Sequence, residues 1–248
     1  MLIEQAAYRN RWRAVSPQAK LVLATAGWLA AALSQTPQAA LAVAGMLVLL
    51  IHLGAGVSPF LMLRAAAPAV GFLLLSCLGL MFSLVPSENG LSLQWQASAW
   101  PQIALLASRA LASLAALLGL ALTTPLPALL GQLRRWRCPA VLLDLMVLCY
   151  QTIFVFLRTL QEARLAQQAR MGYVGASRSL SSLGQLLAHL VLQLWQRARH
   201  LHAAALSRNG NGGNGALNFL PIQHENAGRD TFLALLAGGV LLALSGLR

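Results

Sequence analysis

Two short stretches of this chain share a frame: AQQARMG, Ala166 to Gly172, and AALSRNG, Ala204 to Gly210. In each, an alanine stands four residues before an arginine, and a glycine two residues after it. The guanidinium of Arg170 or Arg208 is a planar, permanently charged fork whose paired N–H groups match a carboxylate, so on an exposed helix end it can grip an acidic group of another molecule. Singly, each stretch reads as an ordinary helix end. A cation there meets the negative end of the helix dipole, and the glycine, Gly172 or Gly210, supplies a left-handed cap. The repetition asks for more, and the small Ala166 and Ala204 leave room for a close-packed neighbour. Both arginines are expected to face another protein.

The other residues able to do chemistry form no such pattern. His200 and His202 are two apart, and helix positions i and i+2 do not share a face. With His52, His189 and His224 isolated, the histidines read as solvated or packed, not as metal ligands. The stretch NGNGGNG, Asn209 to Gly215, lacks the lysine that a phosphate loop needs, because the only lysine in the chain is Lys20. It reads as a flexible connector. The 6 acidic residues are scattered, with no two beside a nucleophile, which argues against an enzyme. Asp144 reads as an interfacial hydrogen-bond acceptor. Cys77, Cys138 and Cys149 read as packing residues. No segment carries a polar stripe suited to a pore. The competing reading is a polytopic membrane enzyme whose cytoplasmic arginines bind phosphate headgroups.

The elements that must position the arginines follow from composition. The 248 residues are 58% hydrophobic and 10% charged, with a mean hydropathy of +0.65, where soluble domains carry roughly a quarter charged residues. This is the composition of a polytopic membrane protein. The net charge of +12 reflects arginines gathered on cytoplasmic segments, since no basic run is interleaved with base-stacking aromatics, and nucleic acid is excluded as a partner. The opening MLIEQAAYRNRWRAVSP lacks the pattern of a cleaved secretory signal.

Arg9, Arg11, Arg13 and Lys20 hold the N-terminus in the cytoplasm ahead of a first span, Leu21 to Ser34. Further spans are expected at Ala39 to Leu53, Ala66 to Val85, Ile103 to Leu122 and Thr231 to Leu247. The first two are short for a 30 Å hydrocarbon core, so thinning, tilt or longer helix ends are expected. The loop around Glu88 belongs outside, with Trp95 and Trp100 in the interfacial belt, and Arg109 must turn away from lipid. Thr124 and Pro125 begin a cytoplasmic helix at its cap and first position, which Pro139 ends. Ala140 to Leu157 is apolar enough to cross, but a crossing there would export Arg158 and every later arginine up to Arg208. Ala140 to Gly172 therefore reads as one long interfacial helix. A second follows the GYVGAS break, with Leu180, Leu183, Leu187, Leu190, Leu194, Ala198, Leu201 and Ala205 forming one apolar seam. The chain divides into a membrane domain of four spans, 1–122, a cytoplasmic or interfacial domain, 123–215, and a connector with the last span, 216–248. The C-terminus is expected outside.

Three stretches, LTTPLPALLGQLRRWRCP, YQTIFVFLRTLQEARLAQQARMG and AALSRNG, resemble in order the signatures of the transmembrane T component of energy-coupling factor (ECF) transporters. The opening AYRNRWRAVSPQAKL is similar to that of the cobalt-type branch. The resemblance touches most of the chain. It implies an all-α polytopic membrane protein of about five transmembrane helices with long crossed coupling helices in the cytoplasm. It also implies a non-catalytic role in an ABC-type importer of the inner (plasma) membrane. The partners would be two ATP-binding cassette ATPase subunits, a substrate-binding membrane S component that holds the metal, and a small accessory membrane subunit. Cobalt is the first cargo it suggests, nickel the next, with vitamins carried by similar systems, and no cofactor is needed in this chain. The residues carried over to the ATPase grooves are Ala169, Arg170, Met171 and Gly172, and Ser207, Arg208, Asn209 and Gly210. Met171 and Asn209 stand where the family usually has glycine, which comes one residue later here, and Ser207 replaces alanine.

Overall fold

The computed structural model describes residues 7–8, 10–87, 90–95, 100–207 and 227–246, with the backbone alone considered for 83–87, 90–95 and 227. The described residues form eight α-helices and one hairpin. These are α1 (Pro17–Leu33), α2 (Pro37–Leu49), α3 (Pro59–Met81), β1 (Phe82–Ser87), β2 (Gly90–Trp95), α4 (Trp100–Thr123), α5 (Leu126–Arg135), α6 (Ala140–Ala169), α7 (Ala176–Ser207) and α8 (Ala227–Ser245). Two compact units are distinguished, Met1–Gln132 with Ile222–Arg248, and Leu133–Pro221.

Three Ser/Thr-Pro pairs start the first three helices. The hydroxyls of Ser16, Thr36 and Ser58 accept the N–H groups of Ala19, Ala39 and Leu61 at 3.4, 3.3 and 3.4 Å. Each following proline sits in the first turn, where its missing N–H leaves no bond unmade. The third pair corrects one expected boundary. α3 begins at Pro59 rather than Ala66, because the cap at Ser58 outweighs the charge of Arg64 as a boundary signal. At its far end the expected span to Val85 stops at Met81, and 82–87 pair antiparallel with 90–95, Phe82 opposite Trp95 and Ser87 opposite Gly90. The alternation in FSLV and LSLQW favours strand over helix there. α2 is lengthened by a π-helical turn, Leu50–Ala55, closed by Gly56 at φ 70°. The continuous stretch is then Pro37–Ala55, 19 residues, about 28 Å long, which resolves the apparent shortness of the second span.

By length and composition five described helical stretches are apolar enough to cross a membrane: Pro37–Ala55, Pro59–Met81, Trp100–Thr123, Ala140–Ala169 and Gly228–Ser245. α1 has 17 residues and about 26 Å of rise. The chain is a multi-pass membrane protein. α6 matches the other four in apolarity and carries Arg158 and Arg164 in its second half.

In the first unit the helices pack through small residues, as lipid-embedded helices do when close backbone approach replaces the hydrophobic drive. Ala30, Ala31, Val43, Leu47, Ala112, Ala115, Ala116 and Leu241 form the core of α1, α2, α4 and α8. A Cβ on Gly238 would lie 2.8 Å from the Ala26 methyl, which cannot rotate away, whereas one on Gly119 would lie 2.7 Å from Ile51 Cδ1, the end of a side chain that can shift.

Charged groups close the helix ends of this core. Lys20 Nζ, in the first turn of α1, donates to the Thr123 carbonyl at the end of α4, 3.0 Å. In return Arg109 of α4 donates through Nε and Nη2 to the Ser34 carbonyl at the end of α1, 2.9 and 2.6 Å. The two contacts fix α1 and α4 as antiparallel. Asp230 of α8 accepts the Ser16 N–H at 2.9 Å, which, with the Ala26 approach to Gly238, makes α8 parallel to α1. Asn10 Nδ2 adds bonds to the Leu122 and Thr123 carbonyls, 3.1 and 3.2 Å. Arg109 is thus turned inward, onto the backbone carbonyl of the fully buried Ser34.

Replacing Arg109 by Met is expected to leave the Ser34 carbonyl unsatisfied and to destabilise the chain by about 1–3 kcal/mol. The loss is to be read as a lower thermal unfolding midpoint in detergent, with Arg109→Lys recovering part of it.

Candidate functional site

α5 opens one step later than its Thr-Pro pair suggests. The Thr124 N–H still bonds to the Leu120 carbonyl at 3.0 Å, so Thr124 closes α4, and its hydroxyl lies 3.5 Å from that of Thr123. The Pro125 carbonyl instead accepts from Ala128 and Leu129, 3.0 and 3.4 Å. α5 ends through Arg137 at φ 60°, with the Cys138 N–H returning to the Leu133 carbonyl at 3.2 Å. Pro139 then caps α6, its φ of −54° already set for the turn.

α6 runs unbroken for 30 residues, roughly 45 Å, as the sequence led us to expect. Its end is a Schellman turn: Gly172 N–H bonds to the Gln167 carbonyl at 2.9 Å and Met171 N–H to the Gln168 carbonyl at 3.0 Å. That bonding puts the left-handed residue at Met171, φ 54°. Gly172, expected to take this role, is one position too late for it. It serves close approach instead. Its carbonyl accepts the Ser182 hydroxyl at 2.7 Å, and a Cβ there would lie 2.8 Å from that oxygen and 3.0 Å from the Gln167 carbonyl oxygen. Gln167 Nε2 donates to the Ser182 carbonyl, 2.9 Å, and Tyr173 donates its hydroxyl to Gln167 Oε1, 2.7 Å. Gly175, at φ 86°, offers its carbonyl to the N–H and hydroxyl of Ser179, 3.1 and 2.7 Å, as α7 begins.

The result is an elbow tied from α6 to α7 by Gln167, Gly172, Tyr173 and Ser182, with Arg170 and Met171 exposed on its outside. Among the described residues no side chain bonds to the Arg170 guanidinium. Gln167, Tyr173 and Ser182 were not singled out from sequence. The available sign was that Ser182, one of four serines between 177 and 182, stands at the step of four that leads to Leu186 and Leu190.

Those three residues are the buried line of α7, and this corrects the expected seam. Of the residues assigned to it only Leu190 is buried, while Leu180, Leu183, Leu187, Leu194 and Leu201 are exposed. From 180 to 195 α7 is apolar on most of its circumference, so periodicity could not choose a face. At its far end Ser207 Oγ bonds to the Ala204 carbonyl at 2.9 Å. Arg208, Asn209 and Gly210, with the connector Asn209 to Gly215 and His224, lie outside the described residues. Of the histidines, His52 Nδ1 lies 2.9 Å from the Val57 carbonyl, and His189 Nε2 lies 3.0 Å from Gln193 Nε2.

The profile of a family described as cobalt transport protein, CbiQ, matches residues 9–217. The chain is 34% identical over 244 residues to the cobalt transport protein CbiQ of Rhodobacter capsulatus, covering 97% of this chain and 98% of that protein. It is 29% identical to the CbiQ of Salmonella typhimurium over 79% of this chain and 92% of that one. It is 34% identical to part of a putative fused cobalt transport protein, CbiMQ, of Methanocorpusculum labreanum, over 42% of this chain and 18% of that protein.

The cost of a non-glycine residue at Met171 makes the elbow tunable. Met171→Gly is expected to stabilise it by about 1 kcal/mol, seen as slower amide hydrogen exchange over residues 167–182 in the full chain. Gly172→Ala is expected to speed the same exchange by displacing Ser182.

Proposed function

Because the chain belongs to the CbiQ cobalt transport protein family, we propose that it is the energy-coupling T component of an ECF-type importer. It carries no catalytic group of its own and joins two ATP-binding cassette ATPases to a substrate-binding membrane S component that holds the metal ion. Cobalt is the cargo that the names of the relatives favour, and nickel is the next. The fusion named CbiMQ supports a membrane partner close enough to share one chain with such a module.

The observation that carries the reading is the presentation of Arg170. A long helix ends in a hydrogen-bonded elbow, and the guanidinium is exposed on it without a side-chain partner among the described residues, a geometry suited to bidentate capture of a carboxylate in a partner's groove. The repeated frame at Ser207, Arg208, Asn209 and Gly210 offers a second such contact, one for each ATPase. Closure of the ATPases on ATP would shift the two grips relative to each other. α6 and α7 are stiff enough to carry that shift as a tilt, and their exposed leucines would pass it to the S component. Because the elbow bonds do not involve the arginine side chain, a grip on it loads the helices without opening the turn.

The N-terminus is placed in the cytoplasm and the C-terminus outside. Support comes from the arginines before α1 and from α8 running parallel to it. α6 is placed along the cytoplasmic interface, with 123–215 as the coupling region and 216–248 as the return to the membrane.

Arg170→Glu and Arg208→Glu are each expected to weaken ATPase association by about 2 kcal/mol or more, roughly thirtyfold. Metal uptake should fall with it, while the S component still captures its ion. Wild-type uptake by the double charge reversal would refute the coupling role.

A further inference from the structure

Between the two long helices lies a cleft of about 630 Å³, away from the Arg170 tip. One wall is a stripe of α6, Thr152, Val155, Phe156 and Thr159, whose spacing of three and four puts them on one face. The other wall is α7, which turns Arg197 and His200, one helical turn apart, toward the same space. No carboxylate is among the lining residues, and the described acidic residues of this unit are Asp144 and Glu162 alone. Among the described residues no side chain bonds to Arg197.

The cleft is mixed in character: Val155 and Phe156 of α6 are apolar, as are Leu194, Leu201 and Ala204 of α7, while Arg197, His200 and the Thr159 hydroxyl are donors. Thr152 is already committed, giving its hydroxyl hydrogen to the Leu148 carbonyl at 2.6 Å. A free inorganic anion would satisfy the donors and leave the apolar groups wet. A neutral lipid would cover the apolar groups and leave the Arg197 guanidinium without a counter-charge. The cleft also sits where α6 passes from its apolar run, ending at Leu157, to the charged stretch that begins with Arg158. In a membrane protein such a boundary marks the headgroup layer.

The geometry points to a site for one anionic phospholipid. Its phosphate oxygens accept from Arg197, His200 and Thr159, and an acyl chain lies along Val155 and Phe156. Such a lipid fills the gap between α6 and α7 and makes them move as one body. The site is independent of whether Arg170 meets an ATPase.

The test is native mass spectrometry of the full chain in detergent, titrated with dioleoylphosphatidylglycerol and, separately, dioleoylphosphatidylcholine. The wild type is expected to retain one phosphatidylglycerol about fivefold more tightly than phosphatidylcholine. Arg197→Gln with His200→Gln should abolish that preference. Arg199→Gln, an equal loss of charge two positions round the same helix, should keep it, and hydrogen exchange at residues 167–182 should stay at wild-type rates in every variant. Equal retention of the two lipids, or a preference that the double variant keeps or Arg199→Gln removes, would overturn the site. Displacement of the lipid by millimolar inorganic phosphate would make it a free-anion site. Its loss when the partner subunits assemble would give the cleft to protein, and either result overturns the assignment.

Discussion

A backbone carbonyl at the end of a helix has no intrahelical partner, and in hydrocarbon it has no water either. The first unit answers this with long-range charged side chains, two cations for carbonyls and one carboxylate for an N–H. Lys20 reaches the last carbonyl of α4, Arg109 reaches the carbonyl that follows α1, and Asp230 takes the N–H that precedes α1. Each bond satisfies a group that would otherwise cost free energy, and each also fixes a helix direction and register. The alanine and glycine contacts of α1, α4 and α8 are short enough to demand such registration, since a slip of one residue would drive a methyl into a neighbouring backbone. The single lysine of the chain and an acid far from it in sequence thus set the order in which the helices of this unit meet.

The elbow of the second unit solves the same end-group problem locally. Its terminal carbonyls are taken by the N–H groups of Met171 and Gly172, and the side chains of Gln167, Tyr173 and Ser182 bind one helix to the other. Because the backbone is satisfied without Arg170, the guanidinium stays available to a partner. The left-handed Met171 carries the strain that glycine would have avoided, and Gly172 is retained because Ser182 needs its space. A helix end built this way is stiff and charged at its tip, two properties that a force-bearing contact requires.

Much of this was legible in the residues themselves. Apolar runs, arginine placement and Pro139 were enough to delimit a polytopic, mainly helical chain with two long helices after Pro139, and the repeated frame drew attention to Arg170. What escaped were features set by tertiary partners or by competition between local signals. Arg64 looked like a boundary but sits within α3, after the stronger start at Ser58. The strands at 82–95 were hidden by a run of apolar residues whose alternation was outvoted. The buried face of α7 could not be chosen where leucines occupy most of its circumference. Lys20, Asp230 and Asn10 had no local pattern, because their partners lie on other helices.

The central claim is that the tip at Arg170 meets an ATPase. It is tested most directly by placing a photo-reactive amino acid at position 170 in the assembled transporter and identifying what it captures, with position 180 on α7, also exposed, as comparison. The account predicts a covalent adduct with an ATPase subunit from position 170 and none from position 180. Adducts from position 170 that contain lipid, or only the substrate-binding subunit, would contradict it.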